Sequence, residues 1–355
     1  MIVTCLHEFL LVTKCTASIA RTFELLFRTQ GRGLYTKFLD GRLALFVVFY
    51  NPHFRNEWHV GVRCEGGLEP VELLRRASAE AGRPFTDEHC ALPTLAQWRR
   101  NGNLLRGDSK PPHLVHGYRA FLEGVRDAPD SERFLNVRDF PVECGDVLNM
   151  VCRREPNATT PALLPTWDDL SEVKSERVVW EEREAIAIWR GSSTGRGARR
   201  VLVSMTRETC LDAHFTSHST RPYLDGTIVR YGRRGPQVER LSMQEQARRA
   251  KFAVCIDGHV SAFRLRTLLA HAFCVLWVES EWEVWYQREM VAFVHYVPVA
   301  ADLHDLYARI EWCQENDAQC QQIAQQGLAF YHSQLGVDSA RAQFCRALLS
   351  PTCSQ

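Results

Sequence analysis

Residues 254–269 read VCIDGHVSAFRLRTLL, and this stretch decides how the second half of the chain folds. A short apolar run (254–256) meets Asp257-Gly258, then a loop, then a helical pattern whose first turn carries Arg264 and Arg266. A strand, a glycine turn and a helix start, in that order, make an anion site. The first backbone N–H groups of a helix have no partner within it, and its dipole is positive there. Arg264 adds a planar fork of donors suited to phosphate oxygens. Upstream, the run 186–189 enters Arg190-Gly191-Ser192-Ser193-Thr194-Gly195, a second stretch of the same kind. Two such stretches in one half of a chain suggest a diphosphate held between them.

Outward from them, strands and helices alternate. AIAIW (185–189) reads as a strand and is followed by a helix through Arg199, Arg200, Leu202 and Val203. A linking region runs to Arg240. Ser242 with Glu245 forms a capping box that opens a helix leading to the strand at 254. After a helix at 261–271 come the strand FCVLWV (273–278), a Trp-rich helix at 279–289 and the strand VHYVPV (294–299). A helix from Asp302 to about Cys313 and another over 316–335 follow. Alternation at this spacing predicts a parallel sheet covered on both faces.

The first half reads differently. LYTKFL, Asp40-Gly41 and RLALFVVFY predict a hairpin. Leu6, Phe9, Leu10, Phe23, Leu26 and Phe27 read as packed faces. Residues 70–81 predict a short helix, and the loop-rich 87–113 a surface facing an acceptor. FLNV (134–137) is a brief strand followed by Arg138-Asp139-Phe140-Pro141. Ligand chemistry in open α/β sheets gathers at strand carboxyl ends, so Asp139 is placed to act as a base. Equally, it caps a turn or pairs with Arg138; the pattern does not choose. The polar, proline-bearing 153–180 reads as an interdomain linker.

Composition narrows the class. The chain has 355 residues, 45% hydrophobic and 24% charged, which suits two globular domains. With 43 basic against 42 acidic residues its net charge is +1, so nucleic acid is not an expected partner. Thirteen cysteines include no C-x-x-C, and the Cys144/Cys152 and Cys313/Cys320 spacings do not suit a zinc ribbon. Cys255 and Cys274 lie in apolar runs, as reduced core thiols do. Glu8, Lys14, Arg21, Glu24 and Arg28 interrupt the oily first thirty residues, so neither a membrane span nor a secretion signal is expected. With no retention tail either, the expectation is a cytoplasmic protein.

G-x-x-x-x-G-K-[ST] is absent, as is G-x-G-x-x-G after a strand, and no D-x-D pair offers metal ligands. Two arginine-bearing loops and one well-placed Asp remain. That division suits sugar transfer from a nucleotide diphosphate, with arginines stabilising the departing diphosphate and Asp removing a proton from the incoming hydroxyl. Neutralisation by arginine makes a metal unnecessary, so no metal and no cofactor is expected.

Seven blocks carry a resemblance. They are FLNVRDFP (134–141); AIWRGSSTG (187–195) with Arg200 and LDAHFT (211–216); Lys251-Phe252; IDGHVSAFRLRTLL (256–269); EWEVWY (281–286); HYVPV (295–299); and the helix from Asp302. In this order they make the chain resemble glycosyltransferase family 90, the Rumi-like protein O-glucosyltransferases and capsule-associated xylosyltransferases. The resemblance covers about 130–335. It implies a GT-B fold in the α/β class, with two Rossmann-like domains facing across a cleft and a C-terminal helix returning to the first. The domains expected are 1–165 on the acceptor side, 166–335 for the nucleotide sugar, and a returning segment, 336–355. It also implies an inverting, metal-independent transfer of glucose or xylose from UDP-glucose or UDP-xylose to a hydroxyl of a protein or glycan acceptor.

By position, Asp139 is the implied general base, while Arg190, Gly191 and Arg264 contact the nucleotide diphosphate. Ser192, Arg200, Asp257 and Ser261 lie near the same ligand. Ala262 departs from the family, which has Ser there, with Ser261 one place away. That change is the one feature favouring a catalytically inactive nucleotide- or sugar-binding module. A phosphoryl-transfer enzyme lacks its Lys and Mg²⁺ carboxylates. Residues 51–130 match nothing in the family.

Overall fold

A computed structural model describes residues 2–3, 6–29, 32–50, 112–137, 141–142, 146–154, 162–195, 197–207, 209–218 and 238–350. The expected helix at 70–81, the loops at 87–111 and Asp139 lie outside the described residues. The chain divides into two compact units. The first is Met1–Met150 with Pro161–Leu164 and Arg341–Gln355, and the second is Val151–Thr160 with Pro165–Ala340.

In the first unit, helices α1 (Leu6–Thr13), α2 (Ala17–Thr29) and α3 (Pro112–Glu123) accompany a five-stranded sheet. Its strands are β1 (Ile2–Val3), β2 (Arg32–Leu39), β3 (Arg42–Tyr50), β4 (Ser131–Asn136) and β5 (Val147–Asn149), in the order β1-β3-β2-β4-β5. The hairpin stands where Asp-Gly predicts it. Asp40 and Gly41 have φ of 50° and 75°, the left-handed pair that a two-residue turn requires. Phe9 stacks on Phe23 with centroids 4.3 Å apart, and both pack with Tyr35, Phe49 and Phe134 to form the core. Leu10 is the exception to the expected packed face, at 38% exposed. The α/β class holds, but this sheet is mixed. β2 runs antiparallel to both β3 and β4, because a tight turn, not a crossover helix, joins it to β3.

The second unit carries β6 (Cys152–Arg153), β7 (Glu184–Ser192), α4 (Ala198–Ser204), β8 (Leu211–Ser217), α5 (Met243–Arg249) and β9 (Ala250–Cys255). It continues with α6 (Leu265–Ala270), β10 (Cys274–Val278), β11 (Trp282–Glu283), β12 (Val297–Val299), α7 (Leu306–Glu315) and α8 (Asp317–Gln334). A last helix, α9 (Val337–Leu348), crosses into the segment grouped with the first unit. The main sheet has the order β12-β10-β9-β7-β8, with every pairing parallel. Burial alternates along its strands. Ala187, Trp189, Phe252, Val254 and Leu276 pack on one face, and Ile188, Ala253 and Val275 on the other. Both faces are covered, so the strands read as near-continuous apolar runs.

Three local expectations are corrected. Residues 211–217 form edge strand β8 within the supposed link, because Leu211, Ala213 and Phe215 bury on one side. The Trp-rich 279–289 is not a helix. Trp282 and Glu283 pair antiparallel with β6, and one 3-10 turn (Gln287–Glu289) follows. Extended backbone there buries Trp282 and Val284, Tyr286 is buried at the turn that opens the 3-10 helix, and the Glu283 carboxylate is held by Arg288. Helix α6 begins at Leu265 instead of 261, and in the loop before it the Ala262 N–H donates to Asp257 Oδ1 at 3.0 Å.

Candidate functional site

Numbered by appearance, the strands of the second unit stand in the order 5-4-3-1-2, so the chain reverses its direction of travel between β7 and β9. Ligands of doubly wound sheets bind beyond the carboxyl ends of strands at such a switch point. The two stretches singled out in the sequence leave those two strands.

Near the carboxyl end of β7, Arg190 is buried and its guanidinium is engaged inside the sheet. Nη2 donates to Asp212 Oδ2 at 2.7 Å and Nη1 to the Asp212 carbonyl at 2.8 Å. Burial pushes the Asp212 carboxyl up, but Arg190, Arg249 and His214 outweigh it and hold the group below the usual carboxylate range. In this structure the Arg190 guanidinium ties β7 to β8. What it offers the loop is its carbonyl, which accepts from Arg264 Nη1 at 2.6 Å.

Arg264 and Arg199 lie against the same indole, their guanidinium carbons 5.7 Å and 5.6 Å from the Trp189 ring centroid. Gly191 is what lets them approach. A Cβ there would fall 2.6 Å from the Trp189 ring and 3.1 Å from Arg264 Nη2. Gly195, at φ 99°, and Gly258 bring the two loops into contact, since a Cβ on Gly258 would meet Thr194 Oγ1 at 2.6 Å.

Arg199 stitches the loops together. Its Nε donates to the Asp257 carbonyl (2.8 Å), Nη1 to Thr194 Oγ1 (2.6 Å) and the Ser192 carbonyl (3.1 Å), and Nη2 to the Ile256 carbonyl (3.1 Å). Sequence reasoning chose Arg200 in its place, and Arg200 is exposed. Apolar spacing was the usable signal, because Arg199 lies on the face of α4 that also buries Leu202. Arg199→Ala leaves three carbonyls short of a donor and is expected to lower stability by about 2–4 kcal/mol. Urea unfolding measures it, with Arg199→Lys recovering part of the loss.

Asp257 is half-buried. Oδ1 accepts from Ala262 N and Oδ2 from Ser280 Oγ, so the carboxylate braces the loop. Burial pushes its pKa up to about 6, against the pull of Ser280, Ala262 and Arg199. A carboxyl raised above its unfolded value of about 3.9 contributes stability that is complete below that pH. The contribution is lost as pH rises through about 6. Asp257→Asn keeps the acceptor oxygen and is expected to remove this loss, on the order of 1–2 kcal/mol. Melting temperatures of both forms between about pH 4 and 7 test it. Ser192 and Ser261 are half-buried, one in each loop.

Helices α4 and α6, which follow the loops, have only 7 and 6 residues, so positive potential here comes mainly from side chains. Burial pulls Arg264 below the usual arginine range, yet an arginine stays charged. No carboxylate among the described residues forms a salt bridge with it. A cation removed from water without a counterion is costly unless an anion joins it.

In the first unit, Asn149 links Asn136 to Val142. Its Oδ1 accepts from Asn136 Nδ2 and Val142 N, each at 2.8 Å, and its Nδ2 donates to the Val142 carbonyl at 3.0 Å. Trp282, Trp285 and Tyr286 are placed in packing. Trp282 and Tyr286 are buried, and Trp285 Nε1 donates to Asp169 at 2.9 Å.

A doubly wound parallel sheet whose switch point gathers Arg199 and Arg264 on Trp189 defines the second unit's class. More narrowly, the chain belongs to glycosyl transferase family 90, whose model matches residues 159–350. It is 28% identical to uncharacterized protein 035R of Invertebrate iridescent virus 3, over 91% of this chain and 35% of that protein. Protein 027R of Frog virus 3 is 27% identical, over 88% of this chain and 40% of that one. The chain thus spans well under half of the viral relatives it matches. Protein O-glucosyltransferase 2 of Danio rerio is 28% identical, over 64% of this chain and 49% of that protein. No helix among the described residues is long and apolar enough to cross a membrane.

Proposed function

We propose that this chain is an inverting, metal-independent glycosyltransferase that moves glucose or xylose from a UDP-sugar to a hydroxyl of a protein or glycan. The observation that carries the reading is Arg264, a charged guanidinium at the β7/β9 switch point that forms no salt bridge with a carboxylate among the described residues. Family membership and the two α/β units, as in a GT-B enzyme, agree with it. In this reading Arg264 and the backbone of 191–195 take the diphosphate, Arg199 and Asp257 keep the two loops in register, and Asp139 accepts the proton of the attacking hydroxyl. Displacement by a hydroxyl activated on the opposite side of the sugar inverts the anomeric carbon. Because guanidinium charge stabilises the departing UDP, no divalent cation is needed.

Asn149 is assigned the task of positioning the segment that carries Asp139. Asn149→Ala is expected to lower kcat by about 10–100-fold with little change in KM for the donor, since small misplacements of a reacting group are expensive. Steady-state kinetics with varied UDP-sugar gives both quantities.

The test of the whole reading is UDP release by the chain supplied with UDP-glucose or UDP-xylose, with EDTA present throughout. Release from one of them in EDTA is the expected result, and a β-linked product by NMR follows from inversion of an α-linked donor. Activity that vanishes in EDTA and returns with Mn²⁺ rejects the metal-free mechanism. Binding of neither nucleotide sugar rejects the transferase reading.

A further inference from the structure

Three cysteines converge at the opposite end of the same sheet. Cys274 is the first residue of β10, Cys313 lies in the last turn of α7, and Cys320 lies in the first turn of α8. Each is 0% exposed, and their sulfurs all lie within 4.8 Å of one another. All three are free thiols. The break between α7 and α8 at Asn316 turns Cys313 and Cys320 toward one point, and Cys274 faces that point from the sheet. Cys274 and Cys313 are both in hydrogen-bond contact with Cys320.

Around them the packing is apolar, with Leu276, Leu306, Ile310, Ile323 and Ala324 in the same cluster. Filling such a core needs only small apolar side chains. It does not need three polarizable sulfurs from three elements meeting at metal-ligand separation. Among the described residues no fourth His, Cys, Asp or Glu joins the group. The nearby Asp317 is already committed, with Oδ1 accepting from Lys251 Nζ at 2.8 Å and Oδ2 from Trp180 Nε1 at 3.1 Å.

We propose that Cys274, Cys313 and Cys320 form a three-thiolate site for Cu(I) that staples β10, α7 and α8 together. Soft thiolates select soft cations. Zn(II) takes four ligands in closed structural sites, and the geometry provides three. Each cysteine that becomes a ligand gives its proton to solvent as its sulfur binds. Copper enters as Cu(I), so no electron is transferred, and binding strengthens as pH rises. The site is separate from the donor loops and independent of the transferase reading.

The test is anaerobic titration of the reduced full chain with Cu(I) against a chromogenic Cu(I) chelator, with a parallel Zn(II) titration. The expected result is one Cu(I) per chain, three sulfur neighbours by X-ray absorption, and a higher melting temperature with copper bound. Cys274→Ala, Cys313→Ala and Cys320→Ala are each expected to weaken binding by roughly a hundredfold or more, whereas Cys255→Ala, a buried thiol outside the cluster, leaves it unchanged. Circular dichroism shows which variants fold. Should none of the three fold, the sulfur count on the wild-type chain still decides the matter. Binding of neither metal, tighter binding of Zn(II) than Cu(I), or a copper shell of fewer than three sulfurs overturns the proposal.

Discussion

Asp139→Asn is expected to slow UDP-sugar turnover by about 10²–10⁴-fold, the range a positioned general base supplies, while UDP affinity stays within about twofold. The substitution keeps the shape of the side chain and removes its basicity. The acceptor hydroxyl would then have to attack with its proton still in place. The loss should therefore fall on kcat, and supplying more donor should not restore it. Isothermal titration with UDP on the same preparation separates a chemical defect from misfolding. Turnover that survives the substitution removes Asp139 from the mechanism and leaves the diphosphate site untouched.

Arg264→Ala carries the second large effect. Removing one preorganised donor from developing charge costs about 10²–10³ in rate, and ground-state binding of UDP should weaken by about tenfold as well. Arg264→Lys should recover little. A single ammonium cannot both donate to the Arg190 carbonyl and present a planar pair of N–H groups to phosphate oxygens. The variant is also expected to be no less stable than wild type, and this is the informative part. The wild-type guanidinium is a desolvated cation that, among the described residues, donates to the Arg190 carbonyl and forms no salt bridge, so deleting it relieves a penalty as well as removing a bond. Arg199→Ala should do the opposite, losing stability because all its donors are spent on protein oxygens.

The contrast between these two arginines shows what the sequence could and could not say. Loops rich in glycine after apolar strands marked the switch point correctly, because parallel strands buried on both faces leave a long apolar run that breaks where the chain reaches solvent. The hairpin at Asp40-Gly41 and the capping box at Ser242 were legible for the same local reason: backbone conformation there is decided by the residues themselves. Ser242 Oγ accepts from Glu245 N, and the Glu245 carboxylate accepts from Ser242 N, as the pattern predicts.

Side-chain direction was not legible. Arg190 and Arg264 look alike in sequence, yet Asp212 on the neighbouring strand forms a salt bridge with the first, and no carboxylate among the described residues does so with the second. That partner comes from β8, read as part of a link, so the pairing had no local signature. The Asp257 carboxylate was likewise spent on Ala262 and Ser280, contacts across the loop and from the next strand's end. The Trp-rich stretch misled for a related reason. Trp282 and Tyr286 fit an apolar helix face as readily as an extended segment, and it is pairing with β6, far upstream, that selects the extended form.

The most direct measurement is a crystal structure of the chain with UDP, grown with EDTA. The account predicts the diphosphate at the carboxyl ends of β7 and β9, with phosphate oxygens about 2.7–3.2 Å from Arg264 and from backbone N–H groups of 191–195. Phosphates lying away from both loops, for example in the cavity lined by Trp277, Arg288, Tyr296 and Arg309, would contradict it.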